Sequence, residues 1–292
     1  MSRITRDIET LIGAGAERSA AGLHPRRFGL VQKLRRHPIP IVAHFRHSLV
    51  LTYAFPRTLL EPLLPPGLVL DTHDDFGFVA IAMVQTEALR PAFAPRCIGQ
   101  NFFLTGYRIF ARYRTREGRL LRGLRILRSD TDRKLMAVVG NFLTHYNYRH
   151  ARVDVREAAS MLEINVQTPG HSADLRVVAD LRNRPTAPPE SSPFRNWHEA
   201  RLFAGPLPFT FDYEPETHSL VMIEGVRRDW NPQPIAVEVH RADFFKRAPF
   251  SVARPILANA FHVANIDYRW NPGVVEALTP NLDRRESIVA FA

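Results

Sequence analysis

The stretch GYRIFARYRTREGRLLRGLRILRSD, residues 106–130, holds eight arginines and no lysine. Guanidinium groups in such numbers serve one of two chemistries: an exposed strip that grips phosphate, or a wall that holds a small anion through paired hydrogen bonds. A strand sends successive side chains to opposite faces, which puts Tyr107, Ile109, Ala111 and Tyr113 on one side and Arg108, Phe110, Arg112 and Arg114 on the other. TREGR then supplies a turn at Gly118, and the return strand places Arg122, Leu124, Ile126 and Arg128 opposite Leu121, Arg125 and Leu127. The pattern is a β-hairpin with solvated Arg116 and Arg119 at its tip. Arg125 stands among apolar neighbours, and a buried guanidinium there needs an anionic partner, either a carboxylate of the chain or one of a ligand. A nucleic-acid surface would interleave arginines with exposed aromatic rings; the aromatic residues here fall largely on the face away from the arginines, so no nucleic-acid partner is expected.

Other chemistries find little support. One cysteine, Cys97, forms neither an internal disulfide nor a cysteine-based metal site. His44 and His47 fall on opposite faces of a strand, and no cluster of histidines and acids suggests a metal. Phosphate-binding glycine loops, dinucleotide fingerprints and Ser/His/Asp orders are absent, so no cofactor is expected.

The elements that must position these groups are short. The chain has 292 residues, 45% of them hydrophobic, with 36 arginines, three lysines (Lys33, Lys134, Lys246) and 29 acids, for a formal charge of +10. That surplus suits an anionic partner. No apolar run approaches the roughly 20 residues that cross a bilayer, and the single cysteine fits a reducing compartment; the expected location is cytoplasmic, without stable membrane insertion. Residues 1–38 form an N-terminal extension and basic linker, 39–280 one domain, and 281–292 a tail. Alternating or continuous apolar runs punctuated by Pro, Gly and Asp predict strands at 40–53, 76–86, 102–113, 120–127, 136–145, 161–168, 175–181, 208–213, 219–225, 234–240 and 262–269. Helices are few: RTLLEPLL from Arg57 and part of FFKRAPFSVARPILANAF. RNRPTAPPESSPFRNW, near residues 182–197, is a proline-rich loop.

HSLVLTYAFPRTLLEPLLPPGLVLDTHDDFGFVAIAMVQTEALRP, with LTGYRIFARYRTREGRLLRGLRILRSD, GNFLTHYNYRHARV and ARLFAGPLPFTFDYEPETHSLVMIEGVRRDWNP, resembles the DUF2071 family, related to YqjF-type proteins and similar in fold to acetoacetate decarboxylase. The resemblance covers roughly residues 40–275. It implies an α+β domain, mostly antiparallel β, whose sheet closes into a cone-like barrel around a small-molecule cavity. In the decarboxylases a lysine attacks a keto acid to form a Schiff base, and the positive charge of a second lysine beside it lowers its pKa and so frees the attacking amine. The resemblance puts Tyr148 and Arg149 where those lysines stand, so no amine nucleophile is expected; Lys134 and Lys246 read as solvated. The substrate-gripping arginine falls on Arg46, whose strand places His44 and Ser48 on the same face. The acidic partner is replaced by Val79, with Glu87 the nearest substitute. His145, near the missing nucleophile, is a proton-shuttle candidate.

Two functions follow from this reading. One is an enzyme acting on a small organic acid without a Schiff-base lysine, through His145 and Tyr148 as catalytic groups with Arg46, His44, Arg125, Glu87 and Arg149 binding substrate. The other is a non-catalytic protein that binds or senses an acidic metabolite. A homo-oligomer is compatible with either.

Overall fold

A computed structural model describes residues 29, 32–205 and 207–278. Residues 1–28 of the expected extension and the expected tail at 281–292 lie outside the described residues.

The chain is mostly antiparallel sheet with few helices. Four long strands dominate: β1 (Ile41–Pro56), β4 (Phe76–Pro91), β5 (Gln100–Arg114) and β6 (Leu120–Thr131). Between them lie helix α1 (Arg57–Leu60) and the two-residue strands β2 (Val69–Leu70) and β3 (Thr72–His73). Helix α2 (Lys134–Leu143) and β7 (Tyr148–His150) follow, then β8 (Arg152–Ala158), β9 (Met161–Gln167) and β10 (Leu175–Asp180). The second half adds α3 (Trp197–Ala204), β11 (Phe209–Glu214), β12 (Ser219–Arg227), β13 (Gln233–Pro234), β14 (Ala236–Ala242), β15 (Ile256–Trp270) and β16 (Val274–Ala277).

Seven strands pair in the order β15-β1-β4-β5-β6-β11-β12, and β12 pairs back onto β15, so the sheet forms a ring. A second sheet, β14-β10-β9-β8, packs outside it. The sequence dictates this layering. FGFVAIAMV in β4 is apolar at consecutive positions, as a strand buried on both faces must be: Val79, Ile81 and Met83 join the core shared with Leu162, Ile164, Val166, Leu175 and Val177 of the second sheet, while Ala80, Ala82 and Val84 face into the ring. Tyr107 and Ile109 likewise join the outer core, and Leu104, Arg108 and Phe110 face inward.

Two joints of the ring are short. β6 meets β11 in parallel over Phe209↔Gly123, Thr210↔Leu124 and Phe211↔Arg125, and β12 meets β15 over Gly225↔Trp270, Val226↔Arg269 and Arg227↔Tyr268. Both need glycine for close approach: a Cβ at Gly123 would collide with the Phe209 carbonyl, and one at Gly225 with the Tyr268 hydroxyl.

The helix expected within FFKRAPFSVARPILANAF is reduced to 3-10 turns at Asp243–Lys246 and Phe250–Val252, with Ile256–Phe261 in β15, and the short strands β2, β3, β7 and β16 go unforeseen; three further differences have a clear physical reason. Residues 136–145 belong largely to α2, not to a strand. An apolar run of this length suits either periodicity, and packing decides: Met136, Val139, Gly140 and Leu143 turn toward the ring while Leu135, Val138 and Phe142 stand exposed on the other side. β8 goes unforeseen because its charged, exposed edge residues mask the alternation of Val153 and Val155. α3 begins where a proline-rich loop was expected to end, and Asn196 caps it by accepting a hydrogen bond from the Glu199 amide.

Polar contacts also tie ring to outer sheet. Glu157 of β8 lies 3.4 Å from His47 of β1, whose Nδ1 is 3.1 Å from Nε2 of His262 on β15. Burial, with His47 and Arg184 nearby, pushes His262 down to about 4. This value lies below the 6.5 of a free imidazole, so the unfolded chain takes up the proton first; the stability this implies is complete above about pH 6.5 and is lost as the pH falls toward 4. Allowing for partial solvent access, about 1–2 kcal/mol is at stake. His262→Gln should remove that part of the stability difference between pH 7 and pH 4.5 in denaturant melts; an unchanged difference would mean that His262 stays accessible to protons in the folded chain.

Candidate functional site

The ring encloses a cavity of about 450 Å³. Its walls are mainly apolar, with Val50, Ala80, Ala82, Val84, Leu124 and Ile126 among the lining side chains. α2 and residues 34–39 cover one side, so the end of the expected basic linker is a cavity wall: Leu34, His37 and Pro38 line it. α3 contributes Arg201 and Ala204, beside the aromatic cluster of Phe78, Phe110, Phe194 and Phe203.

Arg108 is the main charge on this wall. Between Leu104 and Phe110 at inward positions of β5 it occupies a place that an apolar residue would ordinarily fill. It folds back over Gly106, its Nε and Nη2 lying 2.8 and 3.0 Å from where a Cβ of residue 106 would stand. A side chain there would lift the guanidinium away. Among the described residues Arg108 has no ion-pair partner, and its Nε is buried without a hydrogen-bond acceptor. Burial, partly offset by Tyr268, Tyr148 and Tyr146, pulls it below the ordinary arginine value, though arginine keeps its proton in proteins.

Around it stand hydroxyl donors. Burial pushes the Tyr148 hydroxyl up to about 12, against the pull of Arg108, and raises Tyr146 well above its usual range. Both stay protonated near neutral pH and can donate to an anion or a carbonyl oxygen. Tyr148 is seated by Gly140 of α2, where a Cβ would press on its ring at 2.5 Å.

Two further arginines line the cavity. Arg227 stacks on Trp230 at 4.2 Å and on Tyr268 at 5.6 Å, and it donates to the Tyr268 hydroxyl at 3.3 Å. Arg201 donates to the Trp230 carbonyl at 3.1 Å, and its Nη1 is buried without an acceptor, as is the Trp230 indole nitrogen. Arg90 also lines the cavity but is engaged by the carbonyls of Ala88 and Ala94. Among the described residues that line the cavity there is no aspartate, glutamate or lysine. His37 completes the set: its backbone is left-handed at φ 54, its Nδ1 has no partner among the described residues, and burial holds the imidazole below its usual range despite the Asn271 backbone.

Of the residues expected to form the site, only Tyr148 lines this cavity. Arg46 points outward, half exposed, 3.4 Å from Glu157. The cause is a register shift in β1 between Phe45 and His47, which brings Phe45 and Ser48 to the cavity and turns Arg46 away. His44 pairs with Asp267 at 2.9 Å. Glu87 sits opposite His44 in the ladder, and a second register shift, with Ala88 left-handed at φ 51, passes the lining from Thr86 to Leu89. Arg125 has a carboxylate of the chain, Asp212, at 3.0 Å. The same carboxylate holds His145 Nδ1 at 2.9 Å, while the other ring nitrogen faces Arg35 at 3.3 Å; Thr144 and Tyr146 on either side line the cavity and His145 does not. Arg149 is exposed on β7. Lys134 starts α2 on the surface, and Lys246 pairs with Asp243. Among the described residues no metal-binding cluster occurs, and no helix is long and apolar enough to cross a membrane.

A seven-stranded ring around an apolar cavity with inward arginines places the chain in the acetoacetate decarboxylase-like fold. It superposes on acetoacetate decarboxylase from Legionella pneumophila subsp. pneumophila str. Philadelphia 1 with a TM-score of 0.53 and 14% identity, over 90% of this chain and 93% of that one. An acetoacetate decarboxylase-like enzyme from Sphingomonas wittichii RW1 gives 0.54 and 12%, over 84% and 96%. The enduracididine biosynthesis enzyme MppR complexed with pyruvate gives 0.53 and 12%, over 82% and 90%. At such identities the likeness is one of fold. No curated protein matches the sequence. The chain belongs to the DUF2071 family, described as an uncharacterized conserved protein, whose model matches residues 42–266.

Proposed function

We propose that the domain holds a small organic anion inside the ring, anchored by Arg108 and by the hydroxyls of Tyr146 and Tyr148, and that it does so without forming an imine. One observation carries the reading: Arg108 faces a cavity in which no carboxylate stands among the described lining residues. A buried guanidinium without a partner is costly, and an anionic ligand supplies the missing acceptor. The apolar remainder of the wall suits a short carbon skeleton. No lysine amine stands among the described lining residues, so among them the covalent step of the decarboxylases finds no nucleophile.

A catalytic version of this reading is favoured by His37. Its free Nδ1 is a proton acceptor on the same cavity wall, and neutral tyrosines near Arg108 would stabilise an oxyanion formed by removing a proton beside a carbonyl.

Acetoacetate and pyruvate, the compounds named for the structural neighbours, are the first probes. Calorimetry should show saturable binding of at least one oxo acid, and borohydride treatment in its presence should leave the protein mass unchanged. A reduced adduct that disappears in Lys134→Ala or Lys246→Ala would overturn the non-covalent reading. Loss of deuterium from the carbon beside the oxo group, dependent on His37, would establish catalysis.

A further inference from the structure

The cavity carries more positive charge than one carboxylate uses, and the charges fall into two groups. Arg108 stands on β5 with Tyr146 and Tyr148 from the segment between α2 and β7. Arg227 stands on β12, Arg201 on α3, and Trp230 on the loop between β12 and β13. In the strand order β5 is three places from β12 one way round the ring and four the other, so Arg108 and Arg227 spring from opposite walls. A ring of seven strands is roughly 13–15 Å across, from a strand spacing near 4.8 Å and the usual tilt, and two arginines reaching inward would meet at its centre. Both line the cavity and stay within electrostatic reach of each other, but each is held toward its own wall. Arg108 lies along its own strand over Gly106, and Arg227 lies flat on Trp230 and Tyr268.

The second group is assembled around Trp230. Its ring holds Arg227 and its carbonyl holds Arg201, which sets two guanidiniums near each other; each is lowered chiefly by burial, and Arg227 lowers Arg201 further. Three donors have no acceptor among the described residues: Nε of Arg108 in the first group, and Nη1 of Arg201 and Nε1 of Trp230 in the second. Two adjacent cations whose free donors line the cavity, with no carboxylate among the described lining residues, form an anion site in their own right.

We propose that the ligand of this cavity is a short dianion, with one acidic group held by Arg108, Tyr146 and Tyr148 and the other by Arg201, Arg227 and the Trp230 indole. The proposal rests on the reading that the cavity binds an organic anion, and it narrows that reading to dicarboxylates and their oxo derivatives. Gly106 and Tyr268 are positioning residues: the first lets Arg108 lie back, and the second keeps Arg227 against its wall.

The test uses the full chain and matched pairs of acids: butyrate with succinate, pentanoate with glutarate, and hexanoate with adipate, titrated calorimetrically. At least one dicarboxylate should bind tenfold or more tighter than its monocarboxylate partner. Arg201→Gln should reduce that dicarboxylate to the affinity of the monocarboxylate while leaving the monocarboxylate unchanged. Trp230→Phe, which keeps an aromatic ring under Arg227 while removing the indole N–H and part of the ring surface, should weaken the dicarboxylate several-fold and covers the case in which Arg201→Gln does not fold. Monocarboxylates that bind as tightly as their partners would overturn the two-headed ligand and leave the single-anion reading standing. Absence of binding across both series would overturn both.

Discussion

Arg108→Met is expected to make the protein more stable and less able to bind. The guanidinium lies in a largely apolar cavity with no acceptor for its Nε, and burial disfavours its charge. Methionine fills much the same volume without a charge to desolvate, and such replacements of buried charges are neutral or stabilising by about 1–4 kcal/mol. The cavity retains some solvent, so a gain of about 1–2 kcal/mol is expected in urea melts of the ligand-free protein. Binding should move the other way, by about 2–4 kcal/mol, the cost of removing one partner from a desolvated charge pair. That is roughly a 30- to 1,000-fold weaker affinity. Arg46→Met, on the outer face beside Glu157, should leave affinity for the same ligand within about twofold. A destabilised Arg108→Met with undiminished binding would show that the charge serves the fold and not a ligand.

Arg128→Ala should cost about 3–5 kcal/mol, the largest loss expected from any arginine of the hairpin. Arg128 and Asp130 are 6% and 0% exposed and lie 2.8 Å apart, and Arg128 donates also to Ser172, in the turn before β10. Desolvation already raises the Asp130 carboxyl above its ordinary value, against the pull of Arg128. Without Arg128 the carboxylate is left buried with only the weaker pull of Arg149 to offset its charge, close to the situation that carries a penalty of this size. Asp130→Leu combined with Arg128→Met should recover most of the loss, because it removes the pair rather than half of it. A loss below about 1 kcal/mol in the single variant would mean that water reaches Asp130.

The hairpin also marks what the sequence makes legible and what it hides. Alternation assigns Arg108 and Phe110 to one face and Tyr107 and Ile109 to the other, and the structure keeps that assignment. Apolar runs in β4 and β5 announce strands covered on both sides. Parity fails where the ladder shifts register. At Phe45–His47 a shift turns Arg46 to solvent, and at Thr86–Leu89 another passes the lining to Leu89 in place of Ala88, while alternation alone already sets Glu87 on the outer face; no local residue pattern announces either shift. The signal for Arg108 is present in the sequence, since a charge stands at a position whose neighbours two residues either side are glycine and phenylalanine, as at a lining position. Its partners are not local: Arg201, Arg227 with Trp230, and His37 reach the cavity from three separate segments, and only the closure of the ring brings them together. Tyr148 is the point where resemblance and cavity agree.

The short joint between β12 and β15 has a kinetic meaning. Three paired residues supply few ladder hydrogen bonds, so local opening there costs less than anywhere along the long β1–β4 or β4–β5 ladders. Arg227 and Tyr268 belong both to this joint and to the cavity wall. In the proposed complex Arg227, which would grip the anion, and Tyr268, which positions it, are the residues that must part if the wall is to yield, so a bound anion would latch its own exit. Residence time then follows the opening rate of three residue pairs more closely than the number of contacts inside.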